Sequence, residues 1–504
     1  MSANFDCNLT GPSAPLPHCW EHTVGSDHAL MALRADWQAQ LRKAHDELGF
    51  HHVRFHGILD DDVGTLVRER DGLIYSFFNS DRIFDFLLSI GMKPFVELSF
   101  MPGALASGDA TVFKYRGNIT PPKDYTKWGT FISKLVSHWV ERYGLKEVRQ
   151  WFFEVWNEPN LKNFWTGEQA DYFKLYKSTA LGIKSVDPEL RIGGPATADN
   201  AWIADFLVFC ETNNILPDFI STHHYPNDAF GEPGDDTDTQ LSKSRRYMLR
   251  EEAQGARALA RDKPLYYTEW SSSSDPRDPM HDEAYAAAFA VKTNLEVAGL
   301  VEGYSYWTFS DIFEENYFPS APFHGGFGLL NLYGVAKPAY RAYQLLYRLG
   351  DKRLTVSGTH STVDVWVIRG EDEIAVYCTN WSLPRHPIAN EQVRICLSHA
   401  PPPAAATITR IDAKHANVKK AWTRMGSPEY LLPPQVRQLH AASELKPGPL
   451  GCHYADGIIG CEFTVPPQAV AAVTIELKSH RKLRHGDMQH AHSDEAAPKG
   501  AGAL

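Results

Sequence analysis

The sequence predicts an α/β protein: a (β/α)8 TIM barrel followed by a C-terminal antiparallel β-sandwich. Two observations carry the prediction. From about residue 20 to about residue 349, short apolar segments alternate with amphipathic stretches of helical period, the pattern of βαβ units around a parallel sheet. After Gly350 the texture changes to short alternating segments separated by Pro, Gly and Asn, as in a sandwich. A chain of 504 residues is also longer than one growing core sustains, so more than one domain is expected.

The strand candidates, in order, are 19–24, 52–56, 94–99, 151–156, 191–194, 218–223, 265–270 and 303–308. Many are apolar almost throughout, as parallel strands covered on both faces should be. Helical stretches between them include 29–48, 125–143, 169–186, 202–213, 241–260, 282–297 and 338–349. Eight such units without a nucleotide-binding fingerprint favour a closed barrel over a doubly wound open sheet. Barrel and sandwich are expected to span 15–349 and 350–479, the latter with strands near 362–369, 373–379, 392–397, 407–412 and 469–477. Residues 1–14 are expected to join the sandwich. The stretch 480–504, rich in His, Lys, Ala and Gly, reads as a disordered tail.

Composition excludes several functions. A formal charge of −11 offers no basic stripe for a phosphate backbone, so nucleic acid is not an expected partner. No run of 18 apolar residues suits a membrane span. The N-terminus lacks the basic and apolar regions of a signal peptide, which predicts a cytoplasmic location. Seven scattered cysteines form no CxxC pair. Cys452 and Cys461 are spaced to meet across a hairpin, but a fully reduced chain is the simpler expectation. No HExxH-like spacing supports metal catalysis, and neither metal nor cofactor is expected. Gly325-Gly326-Phe327-Gly328 is the one candidate for a phosphate-binding loop, and its aromatic context argues against that use. The 13 Trp and 21 Tyr include rings suited to stacking on sugars.

In such barrels the chemistry sits where strands end. The fourth strand ends Glu154-Val155-Trp156-Asn157-Glu158-Pro159. Alternation would put Glu154, Trp156 and Glu158 on one face, with Pro159 holding Glu158 extended. The seventh ends Tyr267-Thr268-Glu269-Trp270, setting a second carboxylate at the mouth. Two carboxylates across a cleft suit glycosidic cleavage, one protonated toward the leaving oxygen and one ionised. The charge of one is expected to raise the pKa of the other.

WFFEVWNEPN and LYYTEW together resemble the clan of retaining glycosidases with glutamates on strands four and seven. VRFHGILDDD (53–62), KPFVELSFMP (93–102) and ISTHHYP (220–226) narrow the resemblance to glycoside hydrolase family 39. That resemblance implies Glu158 as acid/base and Glu269 as nucleophile. It further implies Asn157 at the sugar 2-hydroxyl, His56 and His223 holding the sugar before the cleavage point, and Tyr225 donating toward the nucleophile. Trp307 would be the platform under the sugar, and Glu314 and Glu315 would grip hydroxyls at the non-reducing end. Arg54 and Glu97 read as orienters behind these groups, His224 as non-catalytic, and the run Asp60–Asp62 as a solvated face or helix start. A uronide needs a cation near its carboxylate, supplied by Arg or Lys, and His223-His224-Tyr225-Pro226 contains neither. The xylosidase branch therefore fits better than the iduronidase branch. The implied substrate is a short xylo-oligosaccharide cleaved from its end, with 100–123 and 310–333 as insertions able to close the cleft. α-L-Arabinopyranosides, β-glucosides or a non-catalytic sugar-binding barrel are the alternatives, and self-association is left open.

Overall fold

The computed structural model describes residues 3–477, apart from 71, 229–231, 233 and 371; the predicted tail lies outside the described residues. Eight parallel strands close a barrel. They are β1 (Thr23–His28), β2 (His52–His56), β3 (Lys93–Leu98), β4 (Phe152–Val155), β5 (Arg191–Thr197), β6 (Phe219–His223), β7 (Leu265–Trp270) and β8 (Gly303–Tyr306). Each strand pairs with the next, and β8 returns to β1.

The sequence misplaces a few elements. Cys19–Glu21 is a 3-10 turn with Cys19 and Trp20 buried, and β1 starts only at Thr23. The expected helix 29–48 is a 3-10 segment, Ala29–Leu33, then an α-helix, Ala35–Leu48, because Arg34 between them is extended. Helix Phe78–Ser89 and the hairpin Leu66–Glu69/Gly72–Tyr75 fill the connection from β2 to β3, where no helix was singled out. Helix ends follow local chemistry. The Asp124 side chain accepts from the Thr126 and Lys127 amides at the start of Tyr125–Tyr143. Gly49 ends Ala35–Leu48 at φ +76°, where a side chain would also strike Tyr347.

Strand alternation builds the barrel interior in layers. Phe95 and Phe152 are register partners with stacked rings 5.0 Å apart, and with Phe219 and Tyr266 they close the lower end. Two residues further along the same strands stand Glu97 and Glu154, again partners, and Thr268 follows Tyr266 in the same way. An aromatic floor therefore carries a polar layer, and that layer is the base of the mouth.

The sandwich packs a five-stranded sheet against a seven-stranded one. Ala3–Asn8 pairs in parallel with Glu391–Ser398, and Ser13–Pro15 pairs with Lys352–Leu354, so the N-terminal segment is part of it. Cys452 and Cys461 are partners in one hairpin and form a disulfide, which corrects the expectation of a fully reduced chain. Arg246 joins Asp364 at 2.7 Å, and Tyr377 Oη donates to Leu345 O at 2.7 Å, fixing sandwich to barrel.

Helices Val418–Arg424 and Pro433–Ser443, unforeseen in the sequence, interrupt the sandwich. Val418, Leu431 and Leu439 bury Phe323 and Val335 of the segment after β8. That segment is also pinned from inside. Lys337 Nζ, fully buried, lies 2.8 Å from Asp282 and 2.6 Å from Asp311 and donates to Gly326 O. The Gly325 and Gly328 amides donate to Asp282 and Asp311. The glycine-rich run thus spends these two donors on the protein's own carboxylates, against the phosphate-loop reading. Lys337→Met strands two buried carboxylates, so it should destabilise the barrel by about 3–5 kcal/mol. Chemical denaturation showing less than about 1 kcal/mol would contradict this account.

Candidate active site

Arg54, the central inward residue of β2, is fully buried in the polar layer. Its Nε donates to Glu154 at 2.6 Å, its Nη2 to Asn157 Oδ1 at 2.9 Å, and its Nη1 to Glu269 at 3.3 Å. Nη2 also lies 2.8 Å from Glu97. Burial opposes the charge of Arg54, but Glu154, Glu97 and Glu269 outweigh it and raise its pKa. Glu97 in turn faces His56 Nδ1 at 2.8 Å. Burial would lift the Glu97 pKa, yet Arg54 and His56 hold it low.

Above this layer opens a cavity of about 630 Å³. Of the residues named from the sequence, Glu158, Glu269, His56, Asn157, Tyr225, Trp307 and Glu315 contribute to it. One oxygen of Glu158 lies within 4.8 Å of one oxygen of Glu269. Tyr225 Oη donates to Glu269 at 2.5 Å. Trp307 packs its ring over Gly25, where any side chain would collide with it, and lies 4.8 Å from the His56 ring.

Three sequence expectations about side-chain placement are corrected. His223 does not line the cavity. It is fully buried behind Glu158, with Nδ1 3.0 Å from Glu158 and Nε2 3.0 Å from Thr268 Oγ1. Glu314 turns away to His28 Nδ1 at 3.0 Å while its neighbour Glu315 faces inward. Asp60, read as part of a solvated run, is buried and accepts from the Phe100 amide. His224 pairs with Tyr304 and Glu252 outside the cavity.

Backbone conformation differs from the sequence reading as well. β4 stops at Val155, and Trp156 and Glu158 adopt φ of +73° and +44°. Glu158 is therefore left-handed rather than extended, fixed by its amide donating to Ala196 O at 2.8 Å. The turn rotates Trp156 into the core against Trp165 and swings Glu158 over His223.

Burial pushes the Glu158 carboxyl up to about 7; His56 and Arg54 pull it down and Glu97 pushes it further up. The cause foreseen in the sequence was the charge of Glu269; the structure assigns the rise first to desolvation. Glu315, beside Asp27 and the other carboxylates, is raised well above the usual range, again chiefly by burial. Burial pushes His223 down to about 4.

A family model described as "Glycosyl hydrolases family 39" matches residues 7–449. The chain belongs to glycosyl hydrolase family 39. It is 50% identical over 463 residues to a protein named beta-xylosidase from Caldicellulosiruptor saccharolyticus, covering 91% of this chain and 95% of that one. It is 37% identical to a beta-xylosidase from Geobacillus stearothermophilus over 91% and 92% of the two chains. A crystal structure of a monomeric beta-xylosidase from Caulobacter crescentus CB15 superposes with TM-score 0.83 at 34% identity, covering 95% of this chain and all of that one.

This family 39 cavity also contains Asn160, Asn163, Asp199 and Asp228, none singled out in the sequence. Asn160, Asn163 and Asp228 sit in loops, and Asp199 in the 3-10 turn Ala198–Asn200 that follows β5. Asp228 accepts from the Tyr225 amide at 2.9 Å. Thr268 was visible only as a neighbour of Glu269.

The raised pKa of Glu158 has a stability consequence. A buried carboxyl that titrates near 7 favours folding while protonated and loses that advantage as pH rises from about 4.5 through about 7. Glu158→Gln should therefore gain stability relative to the parent across that window, on the order of 3 kcal/mol by its upper end. Thermal unfolding from pH 4 to pH 8 checks this; a difference independent of pH would refute it.

Proposed function

We propose that the chain is a retaining, exo-acting β-xylosidase that removes terminal β-D-xylosyl residues from short xylo-oligosaccharides. One observation carries the reading: two carboxylates with oxygens within 4.8 Å of each other occupy opposite hydrogen-bonding environments. Glu269 accepts from Tyr225 and Arg54, the disposition a nucleophilic carboxylate needs. Glu158, pushed up to about 7 by burial, is poised to hold a proton.

In the first step a Glu269 oxygen attacks the anomeric carbon while Glu158 gives its proton to the glycosidic oxygen. The bond to the leaving sugar breaks and a xylosyl ester forms on Glu269. In the second, Glu158 takes a proton from water, whose oxygen displaces Glu269 from the anomeric carbon. Two inversions give retention. Asn157 has its Oδ1 committed to Arg54, so its amide N–H groups are left to donate toward the 2-hydroxyl. Trp307 offers the ring against the sugar face, and His56 and Glu315 offer polar atoms to its hydroxyls.

Three observations support this substrate. The insertions after β3 and β8 meet where the Lys114 amide donates to Glu315 O at 2.6 Å, and both supply cavity residues, which suits attack on a chain end. No Lys or Arg occurs among the described residues lining the cavity, whereas Glu158, Asp228, Glu269 and Glu315 do, so a uronate is unfavourable. Both full-length relatives carry the name beta-xylosidase.

The test is hydrolysis of p-nitrophenyl β-D-xyloside by the parent, Glu269→Gly and Glu158→Ala. Glu269→Gly should lose several orders of magnitude and recover partly with azide, forming α-xylosyl azide. Glu158→Ala with azide should form β-xylosyl azide. An α-anomer as the first product of the parent enzyme would overturn the retaining mechanism, and inertness of the parent on xylosides would overturn the substrate.

A further inference from the structure

Behind Glu158 runs a chain of buried hydrogen bonds whose direction can be read from its far end. Glu154 accepts on Oε2 from Arg54 Nε at 2.6 Å, and its Oε1 accepts the Thr268 hydroxyl at 2.7 Å. A threonine hydroxyl has one hydrogen, and here it goes to Glu154. Thr268 Oγ1 therefore meets His223 Nε2, 3.0 Å away, as an acceptor, and Nε2 must carry the proton. Burial pushes His223 down to about 4, so the ring is neutral near pH 7 and Nδ1 holds a lone pair. That lone pair points at Glu158 Oε1, 3.0 Å away.

We propose that Thr268 and Glu154 are positioning residues for catalysis: they fix the tautomer of His223 so that Nδ1 receives a hydrogen bond from the protonated Glu158 carboxyl. The relay rests on the assignment of Glu158 as the acid. Its effect is specific to one protonation state. A bare Nδ1 stabilises the Glu158 acid and opposes its anion, whereas the other tautomer would donate to the anion.

Arg54 and His56 on β2, Glu97 on β3, His223 on β6, Glu269 on β7 and the loop residues Tyr225, Asp228 and Glu315 are the titratable groups acting around Glu158. Of these only His223 bonds to the Thr268 hydroxyl, so Thr268→Val removes the relay and keeps the other charges.

The experiment compares the parent, Thr268→Val and Thr268→Ser on xylobiose and on 2,4-dinitrophenyl β-xyloside, whose leaving group needs no proton. Rates are normalised to active sites counted with 2,4-dinitrophenyl 2-deoxy-2-fluoro-β-xyloside. In Thr268→Val the basic limb of kcat/KM on xylobiose should move down by about one pH unit, with a much smaller loss on the dinitrophenyl substrate. Thr268→Ser, which keeps the hydroxyl, should restore the limb. Equal losses on both substrates with an unmoved limb would overturn the proposal and leave Thr268 a packing residue.

A second measurement needs no variant to fold. In 15N-histidine spectra of the parent, His223 should carry its proton on Nε2 near pH 7, and a proton on Nδ1 overturns the relay. Failure of the acid assignment itself is separable: Glu158→Ala would then lose equally on the two substrates.

Discussion

Arg54 holds its guanidinium inside the barrel, out of reach of water, with Glu97, Glu154, Glu269 and Asn157 taking its donors. A lone charge at that depth is prohibitive, and four carboxylate or amide oxygens around it are what make it tolerable. The dependence runs both ways: Glu154 and Glu269 rely on this guanidinium, and Glu97 shares it with His56. This one cluster sets the height of Glu269, the amide orientation of Asn157 and, through Glu154 and Thr268, the environment of His223. The aromatic floor of Phe95, Phe152, Phe219 and Tyr266 seals it from below.

The same layer gives Glu158 and Glu269 different surroundings. Glu269 rests on Arg54 and Tyr225, both donors. Glu158 makes no bond to Arg54 among the described contacts and stands over a neutral imidazole instead. Desolvation comes first at Glu158, while Glu269 accepts from two donors directly. Burial, rather than the mutual repulsion expected of the pair, comes first in raising the Glu158 carboxyl. The left-handed turn at Trp156 and Glu158 is the local feature that moves Glu158 away from Arg54 and onto His223.

Loops complete what the strands begin. The segment after β8 provides Glu315, Asn316 and Phe327, and it is buttressed by Lys337 from within and by two sandwich helices from outside. The sandwich thus helps shape the cavity in addition to covering the barrel. Its helical insertion packs Leu431 and Leu439 against that segment, with Leu431 N donating to Tyr333 Oη.

The sequence by itself determined the barrel, the sandwich and the two glutamates, because those follow from period, from position at a strand end and from short motifs read locally. β2, β7 and the helices Tyr125–Tyr143 and Gln169–Val186 have the limits that periodicity gives. Tertiary structure alone decided which of two adjacent side chains faces the cavity. Glu315 enters and Glu314 leaves because His28, 286 residues distant from Glu314, draws it away. His223 backs Glu158 rather than lining the cavity because Thr268, on another strand, lies 3.0 Å from its ring. Cys452 and Cys461 meet because hairpin register sets them opposite each other. Each of these outcomes depends on a partner remote in sequence or on a register, and neither leaves a trace in local hydrophobic period.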